Sequence, residues 1–223
     1  MERVTAPSEL KRIPADFDRA AAVLREAVNT PHVTIAEIPA PGRLAPWALA
    51  LGAEVFAGPA APPAGAHPAP VAAPTGPVDA GEDEPDELAT GRIVVLYDPA
   101  APAEWGGAFR IVSYIRAELE RDLGHEAMLG SVAWSWLTEA LEDAECEALS
   151  MGGTTTRVLS ESFGTLAERP STIDLEMRAS WTPVLAAPER IGDHLEAWVA
   201  LLSTAAGLPP LPAGVTPLPG RRR

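Results

Sequence analysis

AGPAAPPAGAHPAPVAAPTGPVDAGEDEPDE, residues 57–87, is the stretch on which the reading of this chain turns. Residues 57–78 hold seven prolines, eight alanines and three glycines without one charged side chain, and residues 79–87 then add six carboxylates. Proline removes backbone donors and the acidic run repels itself, so neither helix nor sheet is favoured there. The segment therefore marks a linker, taken over 57–90. It leaves an N-terminal piece at 12–56 and a core of ordinary composition at 91–208, followed by a proline-rich tail at 209–223.

Upstream, Pro14, Asp16 and Asp18 have the composition of a helix entrance, with carboxylates near the orphan amides. Phe17, Ala20, Ala21, Leu24, Ala27 and Val28 then recur at helical spacing until Asn29 and Pro31 stop the pattern. Val33 to Ile38 predicts a short extended segment. Leu44, Trp47, Ala48, Leu51 and Val55 predict a second helix, with Pro46 in its first turn. Two such helices carry too little apolar surface to stand alone. They are expected to form a helical segment docked on the later core.

Downstream, Ile93 to Leu96 predicts a buried strand. Phe109, Ile111, Ser113 and Ile115 alternate with Arg110, Val112, Tyr114 and Arg116, a strand with one core face and one more polar face. Leu129, Val132, Ala133, Trp136, Leu137, Ala140, Leu141 and Ala144 repeat at three and four residues and predict a helix from about Ser131 to Cys146. Trp134 falls off that stripe and is expected to meet a second element. Thr154 to Phe163 reads as extended, and Ile173 to Trp181 alternates cleanly. Ile191, Leu195, Trp198, Val199 and Leu202 mark a final helix ended by Gly207. The expected fold is α+β: an antiparallel sheet of about four strands in two hairpins, packed by two helices, with the N-terminal helical extension docked on it.

The formal charge is −14, and six of those charges lie in the acidic run, leaving −8 elsewhere. That balance disfavours nucleic acid as a partner, although a local basic patch is not barred. Cys146 is the only cysteine, so an internal disulfide and thiolate zinc sets are ruled out. On its helix it is expected to be a small packed thiol. Residues 1–11 lack the apolar core of a signal peptide, and no apolar run approaches 18 residues, which predicts a cytoplasmic protein without membrane attachment.

No catalytic set can be assembled by spacing. His32, His67, His125 and His194 are scattered and begin no HxxxH or HExxH pattern, so no metal or cofactor is expected. Gly152-Gly153-Thr154 could present amides and hydroxyls to an anion, but lacks the lysine and glycine spacing of a nucleotide loop. The remaining candidate is the polar sheet face, with Arg110, Arg157 and Arg178 as anion or peptide ligands and Glu176 setting orientation. Cross-strand ion pairing is the competing reading of the same residues.

Several phrases together resemble the actinobacterial family called domain of unknown function 3000 (DUF3000). They are Glu37-Ile-Pro-Ala-Pro-Gly-Arg-Leu-Ala-Pro46, Gly91-Arg-Ile-Val-Val-Leu-Tyr-Asp-Pro99, Trp134-Ser-Trp-Leu137, Gly152-Gly-Thr154, Ser160-Glu-Ser-Phe-Gly164, Arg178-Ala-Ser-Trp-Thr-Pro183 and Ala205-Ala-Gly-Leu-Pro-Pro210. The resemblance brings no activity, substrate or catalytic residue. It implies only a weak RNA association, since such genes lie near ribonuclease D-like exonucleases. The leading expectation is a noncatalytic binding or adaptor protein with a protein partner. A small-molecule enzyme using Arg110, Arg157, Arg178 and Glu176 is the first alternative, and an RNA-associated protein the second.

Overall fold

Strands Phe109–Leu119 (β4) and Thr172–Pro183 (β6) alternate as their sequences predict and lie side by side, antiparallel, with Ile111 opposite Trp181 and Ile115 opposite Met177. Around this pair a computed structural model, which describes residues 12–58, 86–119 and 128–208, builds a six-stranded antiparallel sheet. The remaining strands are Val33–Ile38 (β1), Trp47–Phe56 (β2), Glu87–Tyr97 (β3) and Ala148–Ser160 (β5). Their order across the sheet is β1-β2-β3-β4-β6-β5. Helices Ala15–Arg25 (α1), Leu129–Asp143 (α2) and Ile191–Ala205 (α3) supply apolar side chains to the core on one face.

The α+β class and the pair of hairpins flanking a helix match expectation: β3–β4 and β5–β6 are hairpins, and α2 lies between them in sequence. The strand number does not. Six strands replace the expected four because the N-terminal segment contributes β1 and β2 to the same sheet. The helix expected over Leu44 to Val55 is strand β2. Leu49, Leu51, Ala53 and Val55 bury on the helix side, while Ala50 buries on the opposite side against Val94 and Leu96. A strand covered on both faces loses its alternation, and its apolar run then imitates a helical stripe.

The segment that divides the sequence leaves and re-enters at one place. Phe56 pairs with Glu87, and the Ala57 amide donates to the Asp86 carbonyl at 3.0 Å. Residues 57–86 thus connect two adjacent strands. They do not separate two sheets.

Two glycines make room for tryptophans in the core. Gly91 on β3 lies under the Trp198 ring of α3; a Cβ there would stand 2.6 Å from Cζ2. Trp198 is fully buried, and its indole N–H donates to the Ser113 hydroxyl of β4 at 2.8 Å. Gly153 on β5 receives Trp134 of α2 in the same way, with a built Cβ 2.8 Å from the ring and 2.5 Å from the Arg178 carbonyl. Trp134 therefore meets a second element, as its position off the helical stripe predicts. Where Gly91 and Gly153 lack a side chain, a helix approaches the sheet closely.

α1 buries Phe17, Ala20, Ala21 and Leu24 and ends at Arg25, before Val28, which is exposed. Phe17 stacks near Tyr97 and Trp47, with ring centroids 5.9 and 6.3 Å away. This aromatic group ties α1 to the ends of β2 and β3. The tail at 209–223, His67 and His125 lie outside the described residues.

Candidate binding face

The second face of the sheet has two halves. Over β2 and β3, Ala50, Val94 and Leu96 are buried under Ile38, Ala40, Ala45 and Trp105, which come from the end of β1, the β1–β2 loop and the β3–β4 loop. Over β4, β6 and β5 the face carries polar side chains. Registers set its rows: Arg92, Tyr114, Arg178 and Thr154 stand side by side, and Thr90, Arg116, Glu176 and Thr156 form the next row.

Two arginines of these rows, Arg116 and Arg178, are paired with carboxylates on β6. Arg116 Nη2 donates to Asp174 Oδ2 at 2.8 Å, and this bond raises the Arg116 pKa further above its ordinary value. Asp174 is only 7% exposed, so this pair is the most sheltered on the face. Arg178 lies 3.5 Å from Glu176 and places its guanidinium carbon 5.5 Å from the centre of the Tyr114 ring, a cation–π geometry. Burial, followed by the Glu176 charge and a hydrogen bond to that carboxylate, raises the Tyr114 pKa. The hydroxyl is held as a donor.

Arg110 does different work. Its Nη1 donates to the Ser150 carbonyl and to Thr182 Oγ1, both at 3.0 Å, and its Nη2 donates to Ser180 Oγ at 2.7 Å. Thr182 in turn donates to the Trp105 carbonyl. Those partners are neutral, and partial burial lowers the Arg110 pKa. Ser150 has φ 49°, and the β5–β6 register shifts between Leu149 and Gly152. Arg110 therefore braces a β-bulge from across β6.

Of the residues selected from sequence, Arg110, Arg178, Glu176 and Thr154 share this face. Arg157 does not. It stands opposite Leu175, which is fully buried on the helix side, so the Arg157 side chain leaves the sheet on the other surface. The bulge at Ser150 and the weak alternation of Thr154 to Phe163 hide the phase of β5, and a one-residue error exchanges its faces. Gly152 to Thr156 is strand rather than an anion-binding turn, with Gly153 spent on Trp134. Arg92 was missed. The alternation Arg92, Val94, Leu96 across β3 was the available signal, obscured because Val94 and Leu96 are buried like their neighbours.

A recess of about 320 Å³ lies elsewhere, lined by Cys146, Glu145, Glu147, Arg190, Asp193 and His194. Trp181 Nε1–H donates to His194 Nδ1 at 3.3 Å, and burial lowers the His194 pKa to about 4. Burial likewise raises the Cys146 thiol to about 11. At neutral pH both groups are uncharged, the opposite of an activated thiolate–imidazolium pair. Among the described residues, no group of three or more His, Cys, Asp or Glu side chains is arranged to hold a metal ion.

A family model described as protein of unknown function (DUF3000) matches residues 13–216. No curated protein and no solved structure matches the chain. No helix among the described residues is long and apolar enough to cross a membrane.

Proposed function

This chain belongs to the DUF3000 family, and we propose that it is a noncatalytic binding or adaptor protein of the cytoplasm that takes a protein partner on the open half of the sheet over β4, β6 and β5. The observation that carries this reading is the division of that face. Loops cap Ala50, Val94 and Leu96 on the β2–β3 half, whereas Arg178 and Thr154 on the open half, and Arg92 of β3 at its border, are exposed. Arginines beside a carboxylate, threonines and the Tyr114 ring suit a polar, hydrogen-bonding partner surface. Mutual pairing of Arg116 with Asp174 and of Arg178 with Glu176 favours recognition over proton transfer. With Arg157 on the other surface, the enzyme reading retains only Arg110, Arg178 and Glu176, and Arg110 is engaged in bracing the bulge.

The reading is tested with a photoreactive p-benzoylphenylalanine placed at position 92 or 178, and at position 139 on the outer side of α2 as control. Irradiation in near-native lysate is expected to give one discrete protein adduct from the two face positions, competed by unlabelled protein. Adducts no different from those at position 139 would overturn it.

A further inference from the structure

The sheet has two edges of unlike chemistry. β1 is six residues long and is flanked by Pro31, Pro39 and Pro41. The Ile35 amide is capped by Asn29 Oδ1 at 2.7 Å, and Glu37 is held by Arg25 at 2.8 Å. Short length, flanking prolines and a capped donor are devices that close an edge to further pairing. At the other edge β5 is 13 residues long and contains no proline. Among the described residues no strand pairs with its outer side.

Apolar side chains gather along this second edge. Leu149 is 45% exposed, Val158 37% and Leu159 53%, and Phe163 just beyond the strand is 76% exposed. Gly130 of α2 lies against Thr155, where a built Cβ would come within 2.8 Å of its hydroxyl. The first turn of α2 therefore sits over the middle of β5 and leaves the outer backbone of the strand open. With ordinary side-chain areas Leu149, Val158, Leu159 and Phe163 expose on the order of 400 Å², about half of the ~800 Å² each partner gives to a standard interface, and the paired β5 backbones add to it.

We propose that β5 is a homodimer edge, and that two copies of this chain pair β5 with β5 antiparallel about a two-fold axis at Thr155. The sequence of β5 is self-complementary in that register. Thr154 meets Thr156 of the other copy twice over, and Met151 meets Leu159. Arg157 meets Gly153, the residue on which Trp134 lies, so the guanidinium enters beside an indole. No like charges oppose each other, whereas an axis at Arg157 would set two guanidinium groups face to face. Two six-stranded sheets become one continuous sheet. The edge uses the outer backbone of β5 whereas the open face is probed at Arg92 and Arg178 on β3 and β6, so each proposal stands or fails without the other.

The full chain is measured by sedimentation equilibrium at about 100 μM, and spin labels are then placed on a Cys146→Ser background at Thr155→Cys or Leu159→Cys. The expected mass is about 47 kDa, twice the 23.4 kDa chain. Labels at position 155 should lie within ~15 Å of each other. Backbones at position 159 should stand ~27 Å apart, the span of the eight residues from 159 to its partner's place opposite 151. Leu159→Lys should return the protein to one chain with its circular dichroism unchanged. A mass of one chain for the unmodified protein would refute the proposal. So would a dimer in which the labels at 159 are closer together than those at 155.

Discussion

Replacing Gly91 by alanine adds one methyl where Trp198 already stands. The new Cβ would lie 2.6 Å from Cζ2, 3.1 Å from Cη2 and 3.2 Å from Leu202 Cδ2, so the indole must move. It is fully buried and its N–H is spent on Ser113, itself 1% exposed. Overpacking of this kind costs about 1–3 kcal/mol. Weakening the buried indole–hydroxyl bond adds about 1 kcal/mol, and reduced freedom of the unfolded chain returns about 0.5 kcal/mol. The expected net loss is about 1.5–3.5 kcal/mol. With a urea m value of ~2 kcal/mol/M, the midpoint of unfolding falls by about 0.75–1.75 M, read by tryptophan fluorescence. Gly152→Ala, whose Cβ has nothing within 4 Å, is the control and should leave the midpoint in place. Combining Gly91→Ala with Trp198→Phe removes the crowded outer ring atoms, so the pair should be at least about 1 kcal/mol less damaging than the sum of its parts. A Gly91→Ala midpoint within about 0.25 M of the parent, or strict additivity in the double variant, would refute the slot.

His194 is neutral in the fold, with a pKa of about 4 against an ordinary 6.5. The unfolded chain takes up the proton first, so stability is flat with respect to this group above pH 6.5 and falls by on the order of 3 kcal/mol as pH drops to 4. Urea midpoints at pH 7.5 and 4.5 should therefore diverge less in His194→Gln than in the parent; equal slopes would remove His194 as the cause. Cys146, raised to about 11 from 9.0, should react with iodoacetamide at pH 8 roughly ten-fold more slowly than an unshifted thiol, a thiolate fraction about a hundred-fold smaller being partly offset by greater nucleophilicity, until urea unfolds the chain. Deleting residues 59–84 joins Gly58 to Pro85 between strands already paired at Phe56 and Glu87. Shortening that connection should leave stability unchanged or raise it by up to about 2 kcal/mol, and loss of cooperative unfolding would contradict the hairpin reading.

Legibility from sequence followed how many faces of an element are covered. β4 and β6 bury one face and leave the other polar, so Ile111 against Arg110 and Met177 against Arg178 could be read directly. α2 and α3 showed the same contrast at helical period. β2 is apolar on both faces, with Leu49 on one core and Ala50 on the other, and its period was lost. β5 failed for the opposite reason: it is exposed on most of its length, so nothing but pairing with β6 fixes its phase. The candidate face was half legible as a result. Arg110, Arg178, Glu176 and Thr154 fall together, Arg157 falls away, and Arg92 joins through a β3 register that only long-range pairing defines.

The position of Trp198 late in the chain also fixes an order of events during synthesis. β1 to β4 can pair as an antiparallel meander once residue 119 has emerged, yet the slot at Gly91 stays empty until α3 is made. Until then Leu51, Ile93 and Ile111, all 2% exposed or less in the finished fold, lack part of their cover. A chain stopped before residue 191 would carry a nearly complete sheet whose helix face lacks α3, a product prone to self-association and readily recognised by chaperones. Completion of the last helix is thus the step that separates a finished molecule from an unfinished one.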